Sequence, residues 1–399
     1  MKAKWFVAAL ALAVSMTASP VAHATHSNAQ NTAAFLEAIP ASANLYADEV
    51  GVSARAAAVI DVHTGRILYE KSADKQMLIA SITKIITTIV AIESGMDLDG
   101  MVTVSSRASG KEGSSIYLKV GEKQKLIDLL YAVMLRSGND AATAVAEHVG
   151  GGSEAKFVEK MNALVKELGL TGTHFANPHG LDADGHYSTA HDMAVLSAYA
   201  LRNETFQTIV KTKVWRMPMP GEAWDRKLYN KNKMLNRYGG ADGVKTGYTK
   251  AAGRTLVSSA TKNGRQVAVV TLDASSDWVD HARLLDYGFE KYESKPIVEE
   301  HQELQSLPVE DGVEAEVGVI VDQEFSYPVR SEEQEKLRKE IKLEENLHAP
   351  ISAGQKIGEI SIYFEDRLVA QLPLLAAKDI AEKTFWEKMK KLINGMISR

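Results

Sequence analysis

The chain has 399 residues, 45% of them hydrophobic and 24% charged, with 28 glycines and 10 prolines. That length suits two domains better than one, and that composition excludes a mostly disordered or fibrous chain. A formal charge of −5 gives no basis for a nucleic-acid partner, and the absence of cysteine excludes disulfides, thiol catalysis and cysteine metal sites.

From the amino terminus, Lys2 and Lys4 precede an apolar run from Trp5 to Val14, and Ala22-His23-Ala24 supplies an A-x-A cleavage pattern before Thr25. These features predict a signal peptide over residues 1–24, with an apolar part too short to span a bilayer, and hence an exported protein. Residues 25–47, rich in Ala, Asn, Ser and Thr, read as a flexible lead-in. A hairpin follows: a strand Ala56 to Asp61, a turn at His63-Thr64-Gly65-Arg66, and a return strand Ile67 to Glu70. Ile82, Ile85, Ile86, Ile89 and Val90 lie at helical spacing, and Leu126 to Leu135 is a second apolar helical run ending just before Ser137. A third helix is expected from Ala155 to Leu168, stopping at Gly169. Val214 to Trp224 reads either as a border of a cleft or as a surface hairpin. Asp242 to Thr246, Thr255 to Ala260 and Val267 to Leu272 are strand-like, the last two joined through Asn263-Gly264, a pair suited to the positive φ of a tight hairpin turn.

Strands at both ends of a helical middle predict an α+β domain over residues 48–292, one antiparallel sheet flanked by helices. Beyond Tyr292, the runs Val313 to Val321, Lys356 to Phe364 and Leu368 to Leu374 predict a small all-β domain over residues 293–378, with Ser331 to Glu345 as a polar separator. Over residues 379–399, Phe385, Trp386, Met389, Leu392, Ile393, Met396 and Ile397 form one apolar helical face, while Glu387, Lys388, Lys390, Lys391 and Asn394 form the other. A basic amphipathic helix of this kind suits a membrane surface.

Three short segments carry chemistry. Ser81-Ile82-Thr83-Lys84 is an S-x-x-K match, and so is Ser72-Ala73-Asp74-Lys75. About one chance match is expected in a chain of this length. Ser72 lies in a polar turn, whereas Ser81 opens the isoleucine-rich run. There it would meet free backbone N–H groups and the positive end of a helix, with Lys84 on the same face. Ser137-Gly138-Asn139 closes the second apolar helix, and Lys245-Thr246-Gly247 sits on a strand between glycines. S-x-x-K followed by S-x-N and K-T-G is the shared signature of penicillin-binding proteins and serine β-lactamases.

With their neighbours Ala80, Asp140, Ala141, Asp242-Gly243-Val244, Tyr248 and Thr249, and with Asn177-Pro178-His179-Gly180-Leu181-Asp182, these segments resemble the D-alanyl-D-alanine carboxypeptidases among the low-molecular-weight penicillin-binding proteins. The signal peptide, β-rich second domain and amphipathic tail resemble that family's layout. The resemblance implies that Ser81 attacks the penultimate D-alanine carbonyl of a peptidoglycan stem peptide, with Lys84 taking its proton. It implies that Ser137 relays a proton to the leaving D-alanine and that Asn139 orients Lys84 and the substrate amide. Lys245 and Thr246 would receive the terminal carboxylate beside Gly247, and the backbone N–H groups of Ser81 and Tyr248 would form the oxyanion hole. Lys231, in Asn230-Lys231-Asn232-Lys233, matches a basic residue that helps bind the carboxylate, an arginine in other relatives. No cofactor is implied, and β-lactam antibiotics would act as covalent inhibitors. The expected location is the outer face of the cytoplasmic membrane or the cell-wall space.

Three alternatives stand beside this reading. A class A β-lactamase would add an E-x-x-L-N pattern between Asn139 and Lys245; the nearest segment, Glu167-Leu168-Gly169-Leu170-Thr171, lacks the asparagine. A non-catalytic penicillin-binding or wall-binding module would not need a full set of Ser81, Lys84, Ser137 and Lys245. A metal peptidase would use the clustered His174, His179, His186 and His191, but no H-E-x-x-H spacing is present.

Overall fold

A computed structural model describes residue 46, residues 49–387 and residue 389. The signal-peptide segment, most of the lead-in and most of the tail lie outside the described residues. Five antiparallel strands form the first sheet: β1 (Ala56–Asp61), β2 (Ile67–Lys71), β3 (Ala241–Thr249), β4 (Gly253–Lys262) and β5 (Arg265–Leu272), in the order β2-β1-β5-β4-β3. The join between the two ends of the segment is the β1–β5 pair, with Ala58 opposite Val270. Asn263 (φ 51°) and Gly264 (φ 79°) both take left-handed backbone in the β4–β5 turn, as that dipeptide predicted.

Alternate residues of β1 face two different cores. Ala56, Ala58 and Ile60 pack with the helical middle of the chain, whereas Ala57 and Val59 pack with Leu284 and Leu285. The helices of six or more residues are, in order, α1 (Lys84–Ile92), α2 (Leu126–Tyr131), α3 (Asn139–Val149), α4 (Glu154–Glu167), α5 (Ala190–Leu201), α6 (Glu204–Lys211) and α7 (Asp277–Glu290). All but the last helix belong to the first core. Every residue of α1 from Lys84 to Ala91 is buried, so it is a central helix rather than an amphipathic surface one. Each buried isoleucine there contributes on the order of 1.5–3 kcal/mol, which fixes the helix that carries the site.

Two predicted helices differ in detail. The isoleucine-rich run opens with a 3₁₀ turn, Ala80–Thr83, before α1. The second run splits into α2 and a π-helical turn, Ala132–Arg136. Val214 to Trp224 belongs to a docked hairpin, Val214–Met217 with Arg226–Tyr229. Its Trp215 stacks on Tyr131 at 3.8 Å and donates to Asp128 at 2.8 Å, while Trp224 is exposed.

After α7 the chain is all β. A six-stranded sheet runs Leu337–Leu343, Lys356–Phe364, Arg367–Ala376, Glu316–Val321, Glu303–Glu310 and Leu347–His348, and Glu293–Val298 pairs with Phe325–Val329. The stretch expected to separate strands, Ser331 to Glu345, contains a 3₁₀ turn and the strand Leu337–Leu343. That strand lies at the sheet edge with Arg338 to Lys342 exposed, so it carries charge where a buried strand would carry an apolar alternation.

Two arginines join the halves. Arg66, from the β1–β2 turn, donates to the Pro328 carbonyl and to Glu333 (2.7 Å) and lies 4.2 Å from the Phe364 ring centroid. Arg330 donates to Glu49 (2.7 Å) and to the Tyr287 hydroxyl (2.5 Å). At the far end, residues 385–387 and 389 are helical, and Phe385 and Trp386 are 70% and 74% exposed.

Candidate active site

Ala80 turns the chain into the 3₁₀ turn through left-handed backbone (φ 48°), and the Thr83 hydroxyl donates to its carbonyl at 2.8 Å. Ser81 is thereby set one residue into the turn, and Lys84 follows as the first residue of α1. Lys84 Nζ lies 3.1 Å from Ser81 Oγ, 2.7 Å from Asn139 Oδ1 and 2.5 Å from the His179 carbonyl oxygen. Burial, then the Lys245 and Lys231 charges, hold the Lys84 amine well below the usual lysine range, against an opposing pull from Asp140. A neutral amine has two N–H groups and one lone pair. Asn139 Oδ1 and the His179 carbonyl accept the two N–H groups, which leaves the lone pair for the Ser81 hydroxyl. The geometry is that of a base aimed at a nucleophile.

The π-helical turn delivers the second motif. Its C-cap is Ser137 in left-handed backbone (φ 63°), followed by extended Gly138 and then Asn139 as the first residue of α3. A single-turn π distortion of this kind commonly marks a functional position in a helix. The Ser137 hydroxyl has no hydrogen-bond partner among the described residues and is left for a ligand. Asn139 Nδ2 donates to the Glu112 carbonyl (2.6 Å), so its amide orientation is set from both sides.

The third motif lies on β3, the edge strand beside the 3₁₀ turn. Lys245 is buried and donates to the Thr246 carbonyl at 2.7 Å. Burial and then Lys231 push it down to about 7. A Cβ added to Gly247 would overlap the Thr255 hydroxyl and stand 2.9 Å from the Ser81 nitrogen, so glycine lets the strand pass the serine. Lys231 reaches the same place, with Nζ 3.2 Å from Ser114 Oγ and its backbone N–H on the Leu135 carbonyl. Partial burial and Arg136 lower its own affinity for protons. Tyr248 follows with its ring exposed.

The four histidines do not share a ligand point. His186 Nδ1 accepts from the Ala176 N–H (3.1 Å), so Nε2 carries the proton and donates to Thr83 Oγ1 (2.8 Å); burial holds the ring neutral, down to about 4. It braces the Ser81 turn. His174 bonds the Gly185 carbonyl, and His191 pairs with Glu70 at 2.6 Å, beside Asp74. His179 serves through its carbonyl, a contact that side-chain motifs do not encode. Gly180 (φ 82°) abuts Ala80, and any Cβ there would overlap the Ala80 carbonyl. The decoy Ser72 sits exposed just after β2 with φ 45°.

A family profile described as D-alanyl-D-alanine carboxypeptidase matches residues 43–276, and one for the C-terminal domain of penicillin-binding protein 5 matches residues 292–382. The chain is 33% identical to D-alanyl-D-alanine carboxypeptidase DacF of Bacillus subtilis, over 86% of this chain and 90% of that protein. It is also 33% identical to D-alanyl-D-alanine carboxypeptidase DacC of Escherichia coli, over 85% of this chain and 87% of that protein. The crystal structure of penicillin binding protein 5 from Haemophilus influenzae superposes with a TM-score of 0.66 at 30% identity, covering 84% of this chain and 99% of that one.

Proposed function

The chain belongs to the D-alanyl-D-alanine carboxypeptidase family of low-molecular-weight penicillin-binding proteins, and from that membership we propose the roles of its individual residues. It is a serine D-Ala-D-Ala carboxypeptidase that acts on peptidoglycan peptides through an acyl-enzyme and binds β-lactams. Ser81 is the nucleophile. As Oγ bonds to the penultimate D-alanine carbonyl carbon, its proton passes to Lys84 Nζ. The carbonyl oxygen becomes an oxyanion, taken by the Ser81 and Tyr248 N–H groups. When the C–N bond breaks, the Ser137 hydroxyl delivers a proton to the departing amine and is reprotonated from Lys84. Water then adds to the ester with Lys84 as base, releasing the shortened peptide and free Ser81. Lys245, Lys231 and Thr246 hold the terminal carboxylate, with Gly247 leaving room for the substrate. Penicillins acylate the same serine, and their ring-opened leaving group stays attached and slows release.

The observation that carries this reading is the Lys84 amine, buried, with two acceptors for its N–H groups and Ser81 Oγ at its lone pair. Wild type should release D-alanine from a defined muropeptide far faster than it hydrolyses nitrocefin, and Ser81→Ala should release none. D-Alanine release by Ser81→Ala at the wild-type rate contradicts it.

We further propose that the protein is exported and held at the outer face of the cytoplasmic membrane, in the cell-wall space, by its terminal helix. Exposed Phe385, Trp386 and Met389 on the described turn support this reading. None of the described helices is long and apolar enough to cross a membrane. Deleting residues 385–399 should move the protein to the soluble fraction; retention on membranes contradicts the idea.

A further inference from the structure

Asp140, next to Asn139, is fully buried but makes no ion pair among the described residues; its carboxylate instead folds a loop. It accepts from the Ser115 hydroxyl (2.6 Å), from the Ile116 N–H (3.1 Å) and from the Leu118 N–H (3.1 Å). Ser115 Oγ in turn accepts the Tyr117 N–H at 2.8 Å. Wrapped this way, Tyr117 takes left-handed backbone (φ 61°), which a bulky side chain adopts only when its surroundings over-determine it. Its ring is turned out to solvent, 82% exposed. From the other side Arg226 donates to the Tyr117 carbonyl (3.3 Å) and to both oxygens of the half-buried Glu122 (2.5 and 2.9 Å).

The same loop is fastened to the site. Glu112 and Ser114 supply carbonyls to the side chain and backbone of Asn139 (2.6 and 2.7 Å), and Ser114 Oγ meets Lys231. A Cβ at Gly113 would stand 2.8 Å from Asn139 Nδ2. So an aromatic ring with no partner is held, on a strained and fully tied backbone, three to five residues from contacts with two site residues. A ring kept exposed at that cost is a binding platform, since its ordering is complete before a ligand arrives.

We propose that Tyr117 is a specificity-determining residue whose ring packs against the part of the stem peptide that precedes the D-Ala-D-Ala pair. The inference rests on the carboxypeptidase reading. Only one residue lies beyond the cleaved bond, and its carboxylate is fixed by the lysines. Whatever emerges over the rim of the cleft is therefore the amino-terminal portion of the peptide, whose aliphatic side chains suit an aromatic face.

The test compares kcat/KM for a full stem pentapeptide with kcat/KM for acetyl-D-Ala-D-Ala, in wild type, Tyr117→Gly and Tyr117→Phe. Glycine is at ease in left-handed backbone, so Tyr117→Gly removes the ring without straining the loop. Stoichiometric labelling by fluorescent penicillin checks that the site remains assembled. The ratio of the two kcat/KM values should fall about tenfold in Tyr117→Gly, through a rise in KM for the pentapeptide, and should be retained in Tyr117→Phe. An unchanged ratio in Tyr117→Gly overturns the proposal, as does a Tyr117→Phe variant that behaves like glycine. Failure of the underlying reading looks different: wild type would release D-alanine from neither substrate.

Discussion

Among the described residues, four buried lysines and arginines divide this molecule into two kinds of place. At the seam between the halves, Arg66 and Arg330 each have a carboxylate and aromatic faces around them; Glu333 and Glu49 complete the pairs at 2.7 Å. In the cleft, Lys84 and Lys245 are as deeply buried, yet neither has a carboxylate within ion-pair distance among the described residues. Other lysines face them instead: Lys245 and Lys231 act on Lys84, and Lys231 acts on Lys245. The seam spends its charges on satisfied contacts, which is what a structural junction requires. The cleft leaves its lysines unpaired, which lowers their proton affinity and suits Lys84 to the role of base proposed for it. The difference teaches that depth of burial does not mark function here; the missing counter-charge does.

The comparison breaks most sharply at Lys84. Lys84→Met should cut D-alanine release by about 10³–10⁴-fold, since the serine loses its base. It should also raise stability. A lysine whose folded proton affinity is depressed binds fewer protons folded than unfolded, so below its ordinary pKa it costs stability, and more so as pH falls. Thermal melts at pH 7 should therefore shift upward by about 2–4 °C for each kcal/mol recovered. A variant that is inactive and less stable would contradict the unpaired-charge explanation. Gly247→Ala should cost about 10²-fold in kcat, because its Cβ displaces the strand or the Ser81 nitrogen by tenths of an ångström. Steady-state kinetics on a short peptide checks this.

Arg66→Ala tests the other half. Stranding Glu333 should cost about 3–5 kcal/mol in denaturant unfolding and let the two halves melt separately, with activity on a short soluble peptide little changed. A single unshifted melt would show that the seam is not held by this pair. The smallest effect is in pH. Lys245 is cationic below about 7 and neutral above it, so kcat/KM should fall by up to about tenfold for each pH unit above that point as the carboxylate loses its partner. The acid limb should lie where Lys84 gains a proton. A bound substrate carboxylate favours the cation, so the alkaline limb of kcat should lie higher than that of kcat/KM. A profile flat to pH 9 contradicts this assignment.

Much of this arrangement is legible in the sequence alone. The Asn263-Gly264 turn, the apolar β1 and the helical run of Ile85, Ile86, Ile89 and Val90 declare themselves by period and turn chemistry, though the 3₁₀ turn that precedes that helix does not. Ser81, Lys84, Ser137, Asn139 and Lys245 do so by motif. What stayed hidden has a common physical cause. The His179 carbonyl that holds Lys84 and the Glu112 carbonyl that orients Asn139 are backbone groups, and no residue type reports them. The edge strand Leu337–Leu343 has charged residues on its exposed side, which erases the pattern of a strand. Asp140 was visible as a neighbour of the S-G-N segment, but its work is done across more than twenty residues of intervening chain, on Ser115, Ile116 and Leu118. Arg66 looked like part of a hairpin turn and proves to be a bolt to the second half.

The most direct test is to label the protein with penicillin and locate the adduct by peptide mass mapping. The ring-opened penicillin should lie on the peptide carrying Ser81, with Ser81→Ala unlabelled and Ser72→Ala labelled as wild type. An adduct on Ser72 or Ser137, or labelling that survives in Ser81→Ala, would contradict a nucleophile activated by the unpaired Lys84.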